Sequence, residues 1–191
     1  MAHRTIIFLS VYLSIILSSI SIAAPLDSSQ VAENGPTEFD FLIGEWKITN
    51  KILKQRLSNS DEWVESTALS RCWKILDGFG NIDELEMESR EGKMFKGNTI
   101  RIYDPSRNEW TLYWVDNWNL HLGVTKQTTG SFENGVGIFY GQEEFQDKTV
   151  RQKFTWKSLG NDKVYWDQSY YDEESQQWEV NWIMYFDRIE D

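Results

Sequence analysis

The sequence predicts an all-β protein, an antiparallel up-and-down meander closed into a barrel of about 8–10 strands. Three observations carry that expectation. Turn signals recur at short spacing: Asp77-Gly78, Glu91-Gly92, Asp104-Pro105, Asn134-Gly135, Gln146-Asp147, Gly160-Asn161-Asp162 and Asp172-Glu173-Glu174. The runs between them are rich in β-branched and aromatic residues, have strand length and lack a sustained helical period. A meander of so many strands closes on itself because closure removes exposed edges; an open sandwich is the alternative.

In chain order, His3 and Arg4 precede an uncharged stretch from Thr5 to Ala24, with small residues around Ser21-Ile22-Ala23. Residues 1–23 therefore read as a signal peptide, and the protein as exported, periplasmic or secreted. The same stretch is long enough to serve instead as an uncleaved membrane anchor, a reading its five serines weaken. No cysteine follows the cleavage region to take a lipid. Residues 24–36 are polar and broken by Gly and Pro, a disordered lead, and a single barrel domain is expected over 37–188. Ten strands are expected within it: 44–55, 62–76, 81–90, 97–103, 109–116, 122–132, 136–145, 149–157, 163–171 and 178–188.

Alternation assigns their faces. On 149–157, Val150, Gln152, Phe154 and Trp156 alternate with Arg151, Lys153, Thr155 and Lys157, so the uncharged set faces in. The same reasoning turns inward Asp83, Leu85 and Met87; Trp110, Leu112, Trp114 and Asp116; and Val164, Trp166, Gln168 and Tyr170. On the last strand it turns in Trp178, Val180, Trp182, Met184 and Phe186, leaving Glu179 and Asn181 outside unless a β-bulge swings them in. On the second strand it turns in Glu65 and Arg71. Arg101 and Tyr103 are ambiguous, with Ile100 and Ile102 in the favoured inward register.

Composition excludes several function classes. Loss of Arg4 with the signal peptide leaves 18 basic against 30 acidic residues, a formal charge of −12. Nucleic acid and anionic membrane both require a basic face, so neither is expected as a partner, and self-repulsion favours a monomer. Cys72 is the only cysteine, so no intrachain disulfide forms, and a buried, inert thiol is the expectation for it. No zinc-ligand spacing, phosphate-binding glycine loop or nucleophile elbow occurs, and no metal or cofactor is expected. The acidic row Glu84, Glu86 and Glu88 reads as solvated charge.

Gly44-Glu45-Trp46 opening the first strand, with Arg188 closing the last, resembles the signature of lipocalin and calycin barrels. The resemblance implies that Trp46 sits at the closed end with Arg188 packed across it. Three longer stretches are Phe39 to Trp46, Arg101-Ile102-Tyr103-Asp104-Pro105 through Trp110 and Trp114, and Trp178 through Arg188. They resemble an uncharacterised, mostly bacterial family of small lipocalin-like proteins, which brings no activity with it. A haem-binding branch of such barrels holds iron through a histidine on a late strand. The late strands here contain none, and His121 lies in a turn-like stretch.

Buried polar groups need partners, and several among inward Trp and Tyr rings describe either a pocket or a self-satisfied filled core. About ten strands leave room for a pocket. The expected function is binding of a small, partly aromatic or amphipathic molecule by Arg71, Asp83, Trp114, Gln152, Trp166, Gln168 and Trp182. Arg101, Tyr103, Glu179 and Asn181 are further candidates. Two alternatives stay open: an enzyme using an inward carboxylate, Asp83 or Glu65, and an interaction module using the acidic exterior.

Overall fold

The structure, a computed structural model, describes residues 35–88, 92–122 and 127–190. The expected signal peptide, and all but the last two residues of the expected lead, lie outside them. Ten antiparallel strands follow in meander order: β1 Gly44–Leu53, β2 Trp63–Ile75, β3 Gly80–Glu88, β4 Met94–Asp104, β5 Glu109–Asp116, β6 Gln127–Glu133, β7 Val136–Phe145, β8 Lys148–Gly160, β9 Lys163–Asp172 and β10 Gln177–Arg188. Each strand pairs with its sequence neighbours, and β1 pairs with β10, so the sheet is a closed barrel without a free edge. Among the described residues no helix is long and apolar enough to cross a membrane.

The tightest turns obey their sequence. Asn134-Gly135, Gln146-Asp147 and Asn161-Asp162 take positive φ at both positions, the geometry that matches the twist of paired strands. These turns and the strand order divide the barrel into two ends. At one end β1 enters and β10 leaves; at the other lie the connections 54–62, 146–147 and 173–176 and the last residues of β3 and β5.

The first end is plugged. A 3-10 turn over Asp40–Leu42 precedes β1, and Phe39 just before it is buried against Trp110, Phe132, Phe139 and Trp156. Trp46 is fully buried and its indole N–H donates to Leu42 O at 2.8 Å. Arg188, register partner of Trp46, lies with its guanidinium 4.1 Å from the centre of that ring and donates to Ile43 O at 2.7 Å. Gly44 runs at φ +127°, and a Cβ there would stand 2.2 Å from Arg188 Nη1, so glycine is the residue this corner accepts.

Three facing expectations are corrected by the register. On β2 the inward residues are Ser66, Ala68, Ser70 and Cys72, set by pairing with Asn50, Ile48, Trp46 and Gly44. Glu65 and Arg71 therefore point outward, where they pair with Lys51 and Glu45. Small inward residues on β2 leave space for the large rings of its neighbours, while Leu69 and Trp73 stand in solvent. On β4 the inward face carries Phe95, Gly97, Thr99, Arg101 and Tyr103, and Ile100 and Ile102 face out, because Asp83 and Leu112 pair with Thr99 and Arg101. On β10 the register shifts between Val180 and Trp182, and that bulge reverses the faces below it. Trp178 and Val180 lie outside, Trp178 beneath the Lys153 ammonium, whereas Asn181 is buried and Glu179 shares the inward face of Tyr170.

Candidate functional site

Above the plug the barrel holds a cavity of about 300 Å³. Its floor is Arg101, Trp156 and Phe186, and its walls include Phe154, Trp166, Trp182 and Trp114. The rings are mutually braced. Trp166 meets Trp182 edge to face with centres 5.5 Å apart, lies 5.2 Å from Phe154 and 6.0 Å from Trp156. Such packing fixes the wall in place before any ligand arrives.

Arg101 is the charged centre of the floor. It is 0% exposed, with Nη1 donating to Asn81 Oδ1 at 3.0 Å and Nη2 to Asp83 Oδ2 at 2.6 Å. Its guanidinium lies 5.3 Å from the centre of Phe39 and 4.9 Å from that of Trp156. Asp83 uses its other oxygen to accept the Thr99 N–H at 3.2 Å. Both carboxylate oxygens are thus engaged, and the residue holds Arg101 in place. Neither weak catalytic candidate stands as a free inward carboxylate, since Glu65 is on the outer wall. Cys72 is buried beside this pair; burial pushes its thiol up to about 12, with the Arg101 charge opposing, so it stays protonated at neutral pH.

A second polar group stands at the mouth. Arg56, on the 54–62 connection, donates to Tyr170 Oη at 2.9 Å, and Tyr170 donates to Glu143 Oε2 at 2.6 Å. Burial, then the Glu143 charge, raises the Tyr170 phenol well above its ordinary value, with Arg56 opposing. Glu179 accepts the Leu57 N–H at 2.7 Å, so this connection is fastened to the barrel at two adjacent residues. Asp116 also lines the mouth and accepts the Trp114 indole N–H at 2.9 Å, which orients that ring.

Of the candidates from sequence, Asp83, Trp114, Gln152, Trp166, Gln168 and Trp182 line this one cavity. Arg71 does not; its guanidinium is on the outer surface beside Glu45. Arg101 replaces it as the buried cation. Gln168 donates to Asn181 Oδ1 at 2.9 Å, so Asn181 stands behind the wall, and Tyr103 lies nearer the plug against Trp110. Arg56, Glu143, Thr99 and Ser70 line the cavity without having been singled out in the sequence. A signal for Arg101 did exist. Trp110 and Leu112 were already turned inward, and the Pro105–Asn108 turn pairs them with Tyr103 and Arg101. His121 is exposed, and among the described residues no group of three or more His, Cys, Asp or Glu side chains could hold a metal ion.

No protein-family model matches the chain, and no curated protein matches it. Among solved structures it is similar to Rv2717c from M. tuberculosis, with a TM-score of 0.55 at 11% identity, over 82% of this chain and 100% of that one. The two share a barrel fold.

Proposed function

We propose that the chain is an exported, monomeric small-molecule-binding protein whose occupant is a partly aromatic or amphipathic compound. The observation that carries this reading is the cavity itself: about 300 Å³, walled by Trp114, Trp166 and Trp182 and floored by a buried arginine. A space of that size with apolar walls and a few convergent polar groups has the general composition of ligand pockets. A filled core would instead pack those rings against one another and leave no room. The Gly44-Glu45-Trp46 and Arg188 corner supports placing the chain with lipocalin-like barrels, in which the working end lies opposite the plug.

The test is titration of the purified barrel with N-phenyl-1-naphthylamine, exciting the tryptophans and reading energy transfer to the probe. Saturable transfer at one probe per chain is expected, displaced by compounds that share the pocket. An absence of saturable transfer, repeated over a panel of neutral and charged aromatic compounds, would overturn the reading. Export is tested separately by intact mass of the protein recovered from its host, which should lack residues 1–23.

A further inference from the structure

We propose that the β7–β8 wall of the cavity receives a hydrogen-bond donor, the O–H or N–H of a neutral aromatic molecule, on the side-chain oxygen of Gln152, with Glu143 as a second acceptor nearer the mouth. This rests on the small-molecule reading above and adds the chemistry of the occupant. Gln152 is 4% exposed, lies on the inward face of β8 and lines the cavity. Its amide nitrogen donates to Gln142 O at 3.3 Å, and only the NH2 end of the side chain can donate to a carbonyl, so this contact fixes which end is the oxygen. That oxygen, Oε1, accepts no hydrogen bond among the described residues. Nor is it sealed off. The unpartnered buried side-chain atoms without surface are Arg101 Nε, Trp110 Nε1, Thr128 Oγ1, Trp156 Nε1 and Asn181 Nδ2. Gln152 Oε1 is not one of them, and the inward position of the residue on a closed wall turns its remaining surface to the cavity.

The strands on either side explain why no neighbour supplies the donor. Opposite Gln152 on β7 stands Gly141, which has no side chain. Opposite it on β9 stands Tyr170, whose one hydroxyl proton goes to Glu143 Oε2 at 2.6 Å while its oxygen accepts from Arg56 Nη1. Glu143 follows Gly141 on the same inward face and also lines the cavity, and its other oxygen, Oε1, accepts no hydrogen bond among the described residues. An occupant that displaces solvent from such an oxygen without donating to it leaves the acceptor unpaired and desolvated, whereas a ligand O–H or N–H restores the bond. The ring requirement comes from the adjoining wall. Phe154, the next inward residue of β8, lies 5.2 Å from Trp166, which in turn meets Trp182 edge to face, so a flat ring bearing the donor is held beside Gln152.

The test is equilibrium dialysis of the purified protein at pH 7 against three compounds of one skeleton: 2-naphthol, 2-methylnaphthalene and 2-methoxynaphthalene. The methyl compound matches the naphthol in size and has no polar atom; the ether keeps the oxygen as an acceptor and lacks only the proton. The naphthol should bind about tenfold more tightly than either, because a site with a buried acceptor discriminates against a ligand that leaves it unpaired. Equal or tighter binding of the methyl compound or of the ether overturns the proposal and leaves the pocket reading standing. No binding by any of the three overturns both. Gln152→Met keeps the length of the side chain and deletes the acceptor, so it should reduce the naphthol-to-methyl ratio several-fold while leaving the affinity for 2-methylnaphthalene near its original value. Equal weakening of all three compounds would mean that Gln152 only supports the wall, and a preserved ratio in a variant with native near-ultraviolet dichroism would remove it from the site; either result overturns the assignment. If the variant does not fold, the three titrations of the unaltered protein still decide the proposal.

Discussion

Arg101 and Asp83 stabilise the barrel as a pair and damage it singly. Asp83→Asn leaves a fully buried guanidinium without its counter-charge, and a loss of about 3–5 kcal/mol is expected in urea denaturation. Replacing both residues together should recover most of that loss, because no lone charge stays behind. Cys72 gives a pH prediction. Its thiol is raised from 9.0 to about 12 by burial, so between those values the unfolded chain has released a proton that the folded chain retains. Stability contributed by this group is complete below pH 9 and is lost as pH rises toward 12. A Cys72→Ala variant should therefore show a shallower alkaline fall in denaturation midpoint. Residue identity made part of this site legible. Asp83, Gln152 and Gln168 are polar residues that share their inward faces with apolar ones such as Leu85, Phe154 and Trp166, and alternation found them. Arg71 and Glu65 show the limit: on β2 both faces carry apolar residues, and only the pairing with β1 separates the small inward set from exposed Leu69 and Trp73.

Elements place the rings. Trp114 can lie across β4 because Gly97 has no side chain there; a Cβ would stand 2.2 Å from the Trp114 ring. Gly97→Ala should therefore move that ring, costing about 1–3 kcal/mol by overpacking and weakening N-phenyl-1-naphthylamine binding in the same variant. Unchanged probe affinity would mean that Trp114 is not part of the binding wall. The bulge in β10 works in a similar local way. One extra residue puts both Asn181 and Trp182 toward the interior and sends Trp178 outside to lie under Lys153. Strand number and turn chemistry could be read from Asn-Gly and Asn-Asp pairs, whose positive φ is a property of the residues themselves. The bulge had no such local mark, since it arises from fitting β10 to β9, and the parity of Glu179 and Asn181 could not be settled without that register. The 54–62 connection was equally silent: Arg56 is one polar residue among several, and its role comes from Tyr170, 114 positions away.

At the scale of the molecule, closure between β1 and β10 makes the first and last strands of the barrel hold one another. Trp46 is the keystone of that junction, in contact with Leu42, Phe186 and Arg188. Trp46→Ala should lower stability by about 3–5 kcal/mol and leave probe affinity of the folded fraction near its original value, because the ring does not line the cavity. Fluorescence and far-ultraviolet dichroism should report coincident unfolding curves for both proteins, as expected when no edge can open independently. The same junction has a practical corollary. Gly35 abuts Gly78, beside the start of β3, and the Ile189 N–H donates to Glu45 O, so the barrel's two chain ends emerge on the plugged side. A label coupled directly after Ile189 would therefore stand at the plugged side, away from Arg56 and Asp116 at the mouth.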